Sequence, residues 1–367
     1  MSLNYYKESE EFVFRSATPE DMQGIIELYE RNYKKPMGLT ESEKHFIWEY
    51  LNNPVNRLYI LLAISKAGEF AAQYAVLPKY LIVGNQKVIC TLSQDTVTDE
   101  RFRGRGLFTF LADELYNEIQ RDGVLFTYGF PNRNSAHGFF TKLKWREVKP
   151  LNIMVKPVYC KGCDYSFFPY IGSHPLGRFI GKLAVVLHNS AFAKTAEKDV
   201  SIHEMNEFSP VFDEIWERFR YKNLVMVIRD NQYIKWRFFD KPENNYRTFI
   251  FYKSGRPAGY LITSVIKKFG ASNLFVVDFV TSDSMILKSM IANIDQIARE
   301  SSAPIISVMV PSVYKKYFYL SGYVRLPQRL FPQDLYFGVR IHNDFENASA
   351  IYDMNNWYLT WSDIDVV

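Results

Sequence analysis

Residues 97–108, VTDERFRGRGLF, combine the residue types and spacing of an anion-binding loop. A strand-like run from Leu92 to Thr98 leads into the loop, and an amphipathic helical pattern begins at Leu107. Gly104 and Gly106 let the backbone approach an anion, and a helix start offers unpaired N–H groups. Three full positive charges surround the glycines: Arg101, Arg103 and Arg105. The spacing predicts a cradle for phosphate groups.

Two flanking segments predict the elements that position this loop. Upstream, FRSATPEDMQGIIELY indicates a strand and a helix, in which Thr18 caps, Pro19 takes the first helical position and Asp21 completes a capping box. Downstream, LFTYGFPNRNSAHGFFTKLKW indicates a strand, a Pro-Asn turn and a second helix. The glycine loop therefore lies between a strand and a helix, the context that gives such a motif meaning.

The order Arg-x-x-Gly-x-Gly resembles the acyl-CoA loop of the GNAT N-acetyltransferase superfamily, and residues 14–146 resemble that family's elements in the right order. The resemblance implies acetyl-CoA as acyl donor, without a metal. It places the acyl carbonyl against backbone near the end of the preceding strand, and the phosphates on the loop. The implied cofactor-binding residues are Thr96, Val97, Thr98, Arg101, Arg103, Gly104, Arg105, Gly106, Leu107, Phe108, Asn132 and Asn134.

Length and composition favour a two-domain enzyme. The chain has 367 residues, 47% hydrophobic content and a net charge of +4, which demands neither nucleic acid nor an acidic membrane as partner. Without a secretory signal or a long apolar stretch, we expect a cytoplasmic protein with no membrane span. Cys160-Lys-Gly-Cys163 lacks the second ligand pair of a zinc site, so a turn with free thiols is favoured.

The second half of the sequence repeats the first. Trp48 matches Trp236, and Gln94–Thr98 match Val277–Thr281. Each half is expected to be an α+β (α/β) unit, with a mixed, mostly antiparallel sheet flanked by helices, as in a tandem GNAT protein. The expected division is a catalytic domain at 1–150, a linker with a helix at 151–198, and a second domain with a C-terminal tail at 199–367. The second half lacks the cradle glycines and arginines, so it is not expected to bind CoA in the usual way.

The linker contains an apolar helical pattern, PLGRFIGKLAVVLHNSAF. Two interpretations are open: a helix packed on the domains, or a helix lying in a membrane interface. Packing is favoured, because Arg178 and Lys182 alone make a sparse cationic face.

Direct acyl transfer to an amine needs a proton acceptor and a proton donor. Asp95 is the nearest carboxylate on the strand, but its counterpart Asp278 in the cradle-free repeat favours a structural role; Glu27 and Glu30 are weaker candidates. Many GNAT members use a tyrosine on the later helix to protonate the leaving thiolate, whereas this chain has Phe140 there. His137, Tyr128 and water are the alternatives.

The acceptor is expected to be a small primary amine such as an amino sugar. Aromatic residues and carboxylates cluster in the tail and would suit a cationic ligand: Trp357, Trp361, Asp363 and Asp365. The same tail also fits a purely structural role, covering a sheet edge. Two rival functions remain: a peptidoglycan-type aminoacyltransferase that uses aminoacyl-tRNA, and a non-catalytic acyl-CoA-binding protein.

Overall fold

The computed structural model describes residues 3–33, 39–161, 175–219, 225–268, 271–327 and 335–364. The strands are β1 Tyr6–Glu8, β2 Phe12–Ser16, β3 Tyr59–Ser65, β4 Phe70–Val83, β5 Gln86–Thr98, β6 Phe126–Gly129, β7 Arg146–Glu147, β8 Ile153–Pro157, β9 Val200–Met205, β10 Val225–Val227, β11 Arg247–Lys253, β12 Arg256–Lys268, β13 Ala271–Thr281, β14 Ile305–Met309, β15 Val324–Arg325 and β16 Gly338–Ile341. The α-helices are α1 Met22–Tyr33, α2 Leu39–Phe46, α3 Leu107–Arg121, α4 Arg133–His137, α5 Pro175–Ala191, α6 Phe212–Phe219, α7 Asn231–Ile234, α8 Ser284–Glu300 and α9 Lys315–Tyr319.

These strands form two mixed sheets, one for each half of the chain. The first has nine strands in the order β1-β2-β3-β4-β5-β6-β16-β7, with β10 also pairing with β4. The second has seven, in the order β15-β8-β14-β13-β12-β11-β9. Pairing is antiparallel except between β5 and β6 and between β13 and β14. The expected fold class, two mixed and mostly antiparallel sheets flanked by helices, is confirmed.

The two halves exchange strands. β8, inside the segment expected to be a linker, pairs with β14 and β15 of the second sheet. In return β16, from the second half of the sequence, pairs with β6 and β7 of the first sheet. The sheet boundaries therefore cross the domain boundaries expected from the sequence in both directions. Each sheet is completed by the other half of the chain.

The equivalent tryptophans of the two repeats meet at the interface between the halves. Trp48 and Trp236 stack with ring centroids 5.1 Å apart at an interplanar angle of 15°. The indole N–H of Trp48 donates to the carbonyl of Trp236 at 2.6 Å, and that of Trp236 donates to the carbonyl of Trp48 at 2.8 Å. Each lies in a π-helical turn, Ile47–Leu51 and Lys235–Phe239. The contact is reciprocal, as expected for repeats related by a local two-fold axis.

A buried ionic network joins the tail to the second sheet. Arg229 is fully buried and donates to Asp278 at 3.0 Å and to Asp363 at 2.8 Å. The hydroxyl of Thr360 donates to Asp278 at 2.8 Å. Buried charges are stable only when they are paired and hydrogen-bonded, so this network fixes the tail in the core. The counterpart of Asp95 is thus a structural carboxylate.

The local predictions around the first helices agree with the structure. Thr18 and Asp21 form the expected capping box, with Pro19 in the first turn. α3 begins at Leu107, and its inward face packs in the first core: Leu107, Leu111, Leu115 and Ile119. The linker helix α5 is packed on one side only, whereas the sequence favoured a fully packed helix, because several of its apolar residues are exposed. In the described part of the chain, no helix is long and apolar enough to cross a membrane.

Candidate active site

A cleft of about 840 Å³ opens where β5 and β6 diverge. The two strands pair only from Thr91↔Thr127 to Ser93↔Gly129, and β5 then continues to Thr98 without β6 beside it. The cleft therefore lies along the end of β5, in the place where β6 would continue. The cleft is lined by Asn32, Ser93, Gln94, Asp95, Thr96, Val97, Thr98, Arg103, Phe108, Thr109, Gly129, Phe130, Pro131, Asn132, Asn134, Ser135, His137, Gly138, Phe139, Lys142 and Trp145.

The glycine loop adjoins this cleft and has the backbone that only glycine adopts easily. Gly104 has φ of 81° and Gly106 has φ of 74°, both in the left-handed region. A Cβ atom added at either residue would meet nothing within 4 Å, so the space beside the loop is open. Gly106 also directly precedes α3, whose first N–H groups have no helical partner. Open space, left-handed glycines and a helix start fit an anion cradle.

The three arginines of the loop have different partners. Arg101 bonds Asp99 at 3.1 Å and Glu69 at 2.6 Å, and its positive charge holds the pKa of Asp99 below the usual range. Arg105 bonds Glu11 at 2.5 Å. Both pairs fasten the loop to neighbouring segments, and neither arginine lines the cleft.

Arg103 does line the cleft. Its Nε donates to the carbonyl of Thr98 at 3.3 Å, and its side chain is 57% exposed. Among the three arginines, Arg103 is therefore the one positioned to meet a phosphate in the cleft, while Arg101 and Arg105 shape the loop.

Asp95 lies at a bulge in β5 and faces the cleft. Its φ of 47° places it in the left-handed region, which aspartate tolerates better than most residues. Tyr50 donates its hydroxyl hydrogen to Asp95 Oδ2 at 2.7 Å. Burial, and next the charge of Asp95, raise the pKa of Tyr50 well above its ordinary value. Tyr50 thus keeps its proton and remains a hydrogen-bond donor to Asp95.

The Pro-Asn turn and α4 form the opposite wall. Asn132 caps α4 through its side-chain oxygen, which accepts from the backbone N–H groups of Asn134 and Ser135 at 3.0 and 3.1 Å. His137, at the end of α4, is exposed and lines the cleft. Phe140 lies outside the lining and packs edge-on against Tyr336. The position where the family often has a tyrosine is therefore turned away from the cleft here.

Other residues singled out in the sequence lie elsewhere. Tyr128 is fully buried against Phe130, Phe337 and Trp357, and burial raises its pKa well above the ordinary value. Trp357, Trp361 and Asp363 are buried in the core, and none of them lines the cleft. Asp365 and Cys163 lie outside the described residues.

At the corresponding strand end of the second half, two tyrosines among the described residues bond the backbone. The hydroxyl of Tyr314 donates to the carbonyl of Thr281, and that of Tyr358 donates to the carbonyl of Phe279. Thr281 and Phe279 are the counterparts of Thr98 and Thr96 in the repeat. Tyrosine hydroxyls thus bond two backbone carbonyls at the strand end where the first half has its cleft. Asp283 replaces the cradle and caps α8 instead.

Several residues in and beside the cleft cannot be identified from the sequence alone. Tyr50 was not singled out because nothing in the sequence couples it to Asp95, 45 residues later. Ser93 and Lys142 carry no motif, although both line the cleft. Within the described part of the chain, no group of three or more His, Cys, Asp and Glu side chains could hold a metal ion.

Residues 13–148 match the family model described as the acetyltransferase (GNAT) domain. The matched segment contains the cleft, the loop and the diverging strands. Residues 13–148 form a GNAT acetyltransferase domain. The protein is accordingly an acyltransferase of the GNAT class, a family that uses acyl-CoA donors and amine acceptors. No curated protein matches the sequence.

Solved structures resemble both halves of the chain together. A probable N-acyltransferase from Enterococcus faecalis V583 has a TM-score of 0.63 at 10% identity, covering 90% of this chain and 72% of that one. A GCN5-related N-acetyltransferase from Anabaena variabilis gives 0.62 at 15% identity, with coverages of 90% and 73%. Saccharomyces cerevisiae N-myristoyltransferase with bound myristoyl-CoA gives 0.56 at 10% identity, with coverages of 91% and 83%. At these identities the likeness shows the fold.

Proposed function

We propose that the protein transfers the acetyl group of acetyl-CoA to a primary amine of a small molecule such as an amino sugar, by direct attack in a ternary complex. The supporting observation is that four features meet at one cleft of about 840 Å³: the adjoining glycine loop, the end of β5, Asp95 and His137. The volume lies within the usual range for small-molecule sites.

The acyl donor fits the cleft of the first half, and the second half lacks the cradle glycines and arginines that would bind it. Gly104 and Gly106 leave open space beside the start of α3, and Arg103 adds positive charge there. β6 does not reach the end of β5, and Thr96, Val97 and Thr98 line the cleft there, so the donor can lie along the strand end in the place where β6 would continue. The corresponding carbonyls of the second half are bonded by Tyr314 and Tyr358.

The amine nitrogen attacks the thioester carbonyl carbon, and a proton must leave the nitrogen as the new bond forms. Asp95 is the carboxylate of the cleft lining, and its Oδ2 accepts a hydrogen bond from the hydroxyl of Tyr50. We assign Asp95 to the amine, either as proton acceptor or as its charge partner before attack. The carbon–sulfur bond then breaks, and His137 supplies a proton to the thiolate.

The residues that line the cleft support the proposed class of acceptor. The cleft lining contains hydrogen-bond donors and acceptors that suit a hydroxylated amine: Asn32, Ser93, Gln94 and Asp95. Trp145 and Phe130 add aromatic surface on which a sugar ring can stack. The carboxylate for the acceptor thus comes from β5, since Asp363 of the tail is already paired with Arg229.

A free-thiol assay with acetyl-CoA and a panel of amines tests this function. Asp95→Asn and His137→Gln should each lower kcat by about a hundredfold while acetyl-CoA affinity stays near the wild-type value, as expected for lost proton transfer. His203→Gln, an exposed histidine on β9, is the matched control and should change nothing. Wild-type protein that releases no thiol with any amine would contradict the proposal. A His137→Gln kcat within about twofold of wild type would assign the thiolate's proton to water.

A further inference from the structure

The outward side of α5 is apolar. Ile180, Leu183 and Leu187 are 52%, 47% and 61% exposed, and their spacing places them in one stripe. Val185, on the inward side, is 3% exposed. A surface helix normally turns its apolar stripe to the core, so three large exposed side chains on one stripe mark an interaction surface.

α5 is fixed in this orientation by specific contacts. Asn189 accepts from the backbone N–H of Tyr159 at 2.7 Å and donates to the carbonyl of Pro157 at 2.8 Å. These two hydrogen bonds attach α5 to the end of β8. Its outward stripe is set by the fold, because rotating the helix inward would break both bonds.

A second group of exposed apolar residues adjoins α5. Tyr319, Leu320 and Val324 are 47%, 59% and 54% exposed. Gly322, between them in sequence, lies so close to α5 that an added Cβ would meet His188 and Phe192 at 2.8 Å. The two groups form one surface, the α5 face: Ile180, Leu183, Leu187, Tyr319, Leu320 and Val324.

The described segments that carry the α5 face are basic, and the acidic residue that follows them, Glu197, lies 3.7 Å from Lys288. Segments 150–161, 175–196 and 311–327 contain no Asp or Glu, although the chain has 40 acidic against 44 basic residues. Exposed cations lie on these segments: Lys161, Lys182, Lys194, Lys316 and Arg325. The cationic surface is thus richer than Arg178 and Lys182 alone indicate in the sequence. Apolar residues bordered by Lys and Arg are the composition of helices that lie on anionic membranes.

We propose that the α5 face binds the surface of an anionic lipid bilayer, with the apolar stripe in the headgroup boundary and the cations on the phosphates. The protein would lie on the membrane without spanning it. A second copy of the chain is disfavoured as the occupant, because a two-fold contact through this face would bring the same cations together. The inference does not depend on the acceptor or on the acetyl donor.

Vesicle sedimentation tests it, with phosphatidylcholine alone and with about 30% phosphatidylglycerol added. Wild-type protein should bind the anionic vesicles at least about tenfold more tightly than the neutral ones, and about 1 M salt should weaken that binding. The double variant Leu183→Glu/Leu187→Glu should lose it. Ile47→Glu, an apolar residue 38% exposed outside the α5 face, is the matched control and should bind like wild type.

Two further readouts make each outcome decisive. Thermal unfolding and acetyl-CoA affinity should be the same in the double variant and in wild type, since the α5 face is not part of the cleft. Wild-type protein that does not bind anionic vesicles would overturn the proposal, and so would a double variant that binds as well as wild type. Concentration-dependent dimerisation abolished by the double variant, without lipid binding, would assign the face to a second copy.

Discussion

Gly106 and Gly123 lie at the two ends of α3, and both have left-handed backbone, with φ of 74° and 83°. A Cβ at either position would meet nothing within 4 Å, so Gly106→Ala and Gly123→Ala carry the same strain and no clash. An L-residue in this conformation costs about 1–2 kcal/mol. Each variant should therefore lose about 1 kcal/mol or more of unfolding free energy.

Only Gly106 adjoins the cleft, so only its variant should lose the donor. A methyl group there holds the phosphates away from the N–H groups at the start of α3. Loss of charged hydrogen bonds of this kind costs about 2 kcal/mol, which is a rise in Kd of about thirtyfold. Gly104→Ala should act in the same direction, since its φ is 81° and its surroundings are also open.

Calorimetric titration with acetyl-CoA measures the affinity, and denaturant unfolding measures the stability of the same samples. The reasoning is refuted if Gly106→Ala binds acetyl-CoA as tightly as wild type. It is equally refuted if Gly123→Ala weakens binding as much as Gly106→Ala does, because strain in α3 would then explain both effects. A second acetyl-CoA site in the wild-type protein would contradict the assignment of the donor to the first half.

Two further predictions concern stability. Asp363→Asn removes one charge partner of the fully buried Arg229, so it should lower the unfolding free energy by about 3 kcal/mol in denaturant titration. The control variant Asp344→Asn, at an exposed residue, should cost less than about 0.5 kcal/mol. Equal losses in the two variants would mean that the network contributes little to stability. Burial, and next Arg340, lower the pKa of His342 from 6.5 to about 3. The unfolded state binds this proton more readily, so stability is complete above pH 6.5 and falls as pH drops towards 3, by up to about 1.4 kcal/mol per unit. His342→Gln should flatten that slope between pH 6.5 and 5, and an unchanged slope would exclude His342 as its source.

The parts of the fold predictable from the sequence are those fixed by neighbouring residues. The capping box of Thr18 and Asp21 and the helix start at Leu107 each depend on a few adjacent side chains and were confirmed. The mixed, mostly antiparallel sheets followed from the family resemblance and the internal repeat, which need only the order of elements. The roles of the donor-binding residues stay predictions, since they await a ligand.

The rest depends on contacts between distant parts of the chain. Arg101, Arg103 and Arg105 are equivalent by type, and all three have a glutamate partner: Glu69, Glu100 and Glu11. Only the folded chain shows that, of the three, Arg103 lines the cleft. The tail's tryptophans and carboxylates fit a ligand site and a core equally well by type. What decides between the two is Arg229, 134 residues before Asp363. A buried arginine needs carboxylate partners, and their positions are set by the assembled fold alone.

The strand exchange explains how a half without a donor cleft contributes to the first site. β16, from the second half, lies between β6 and β7. A Cβ added at Gly338 would meet Phe140 at 2.8 Å and Trp145 at 2.9 Å, so β16 packs directly behind the wall that carries His137. Trp145 lines the cleft itself. The second half therefore supports the far wall of the cleft through β16.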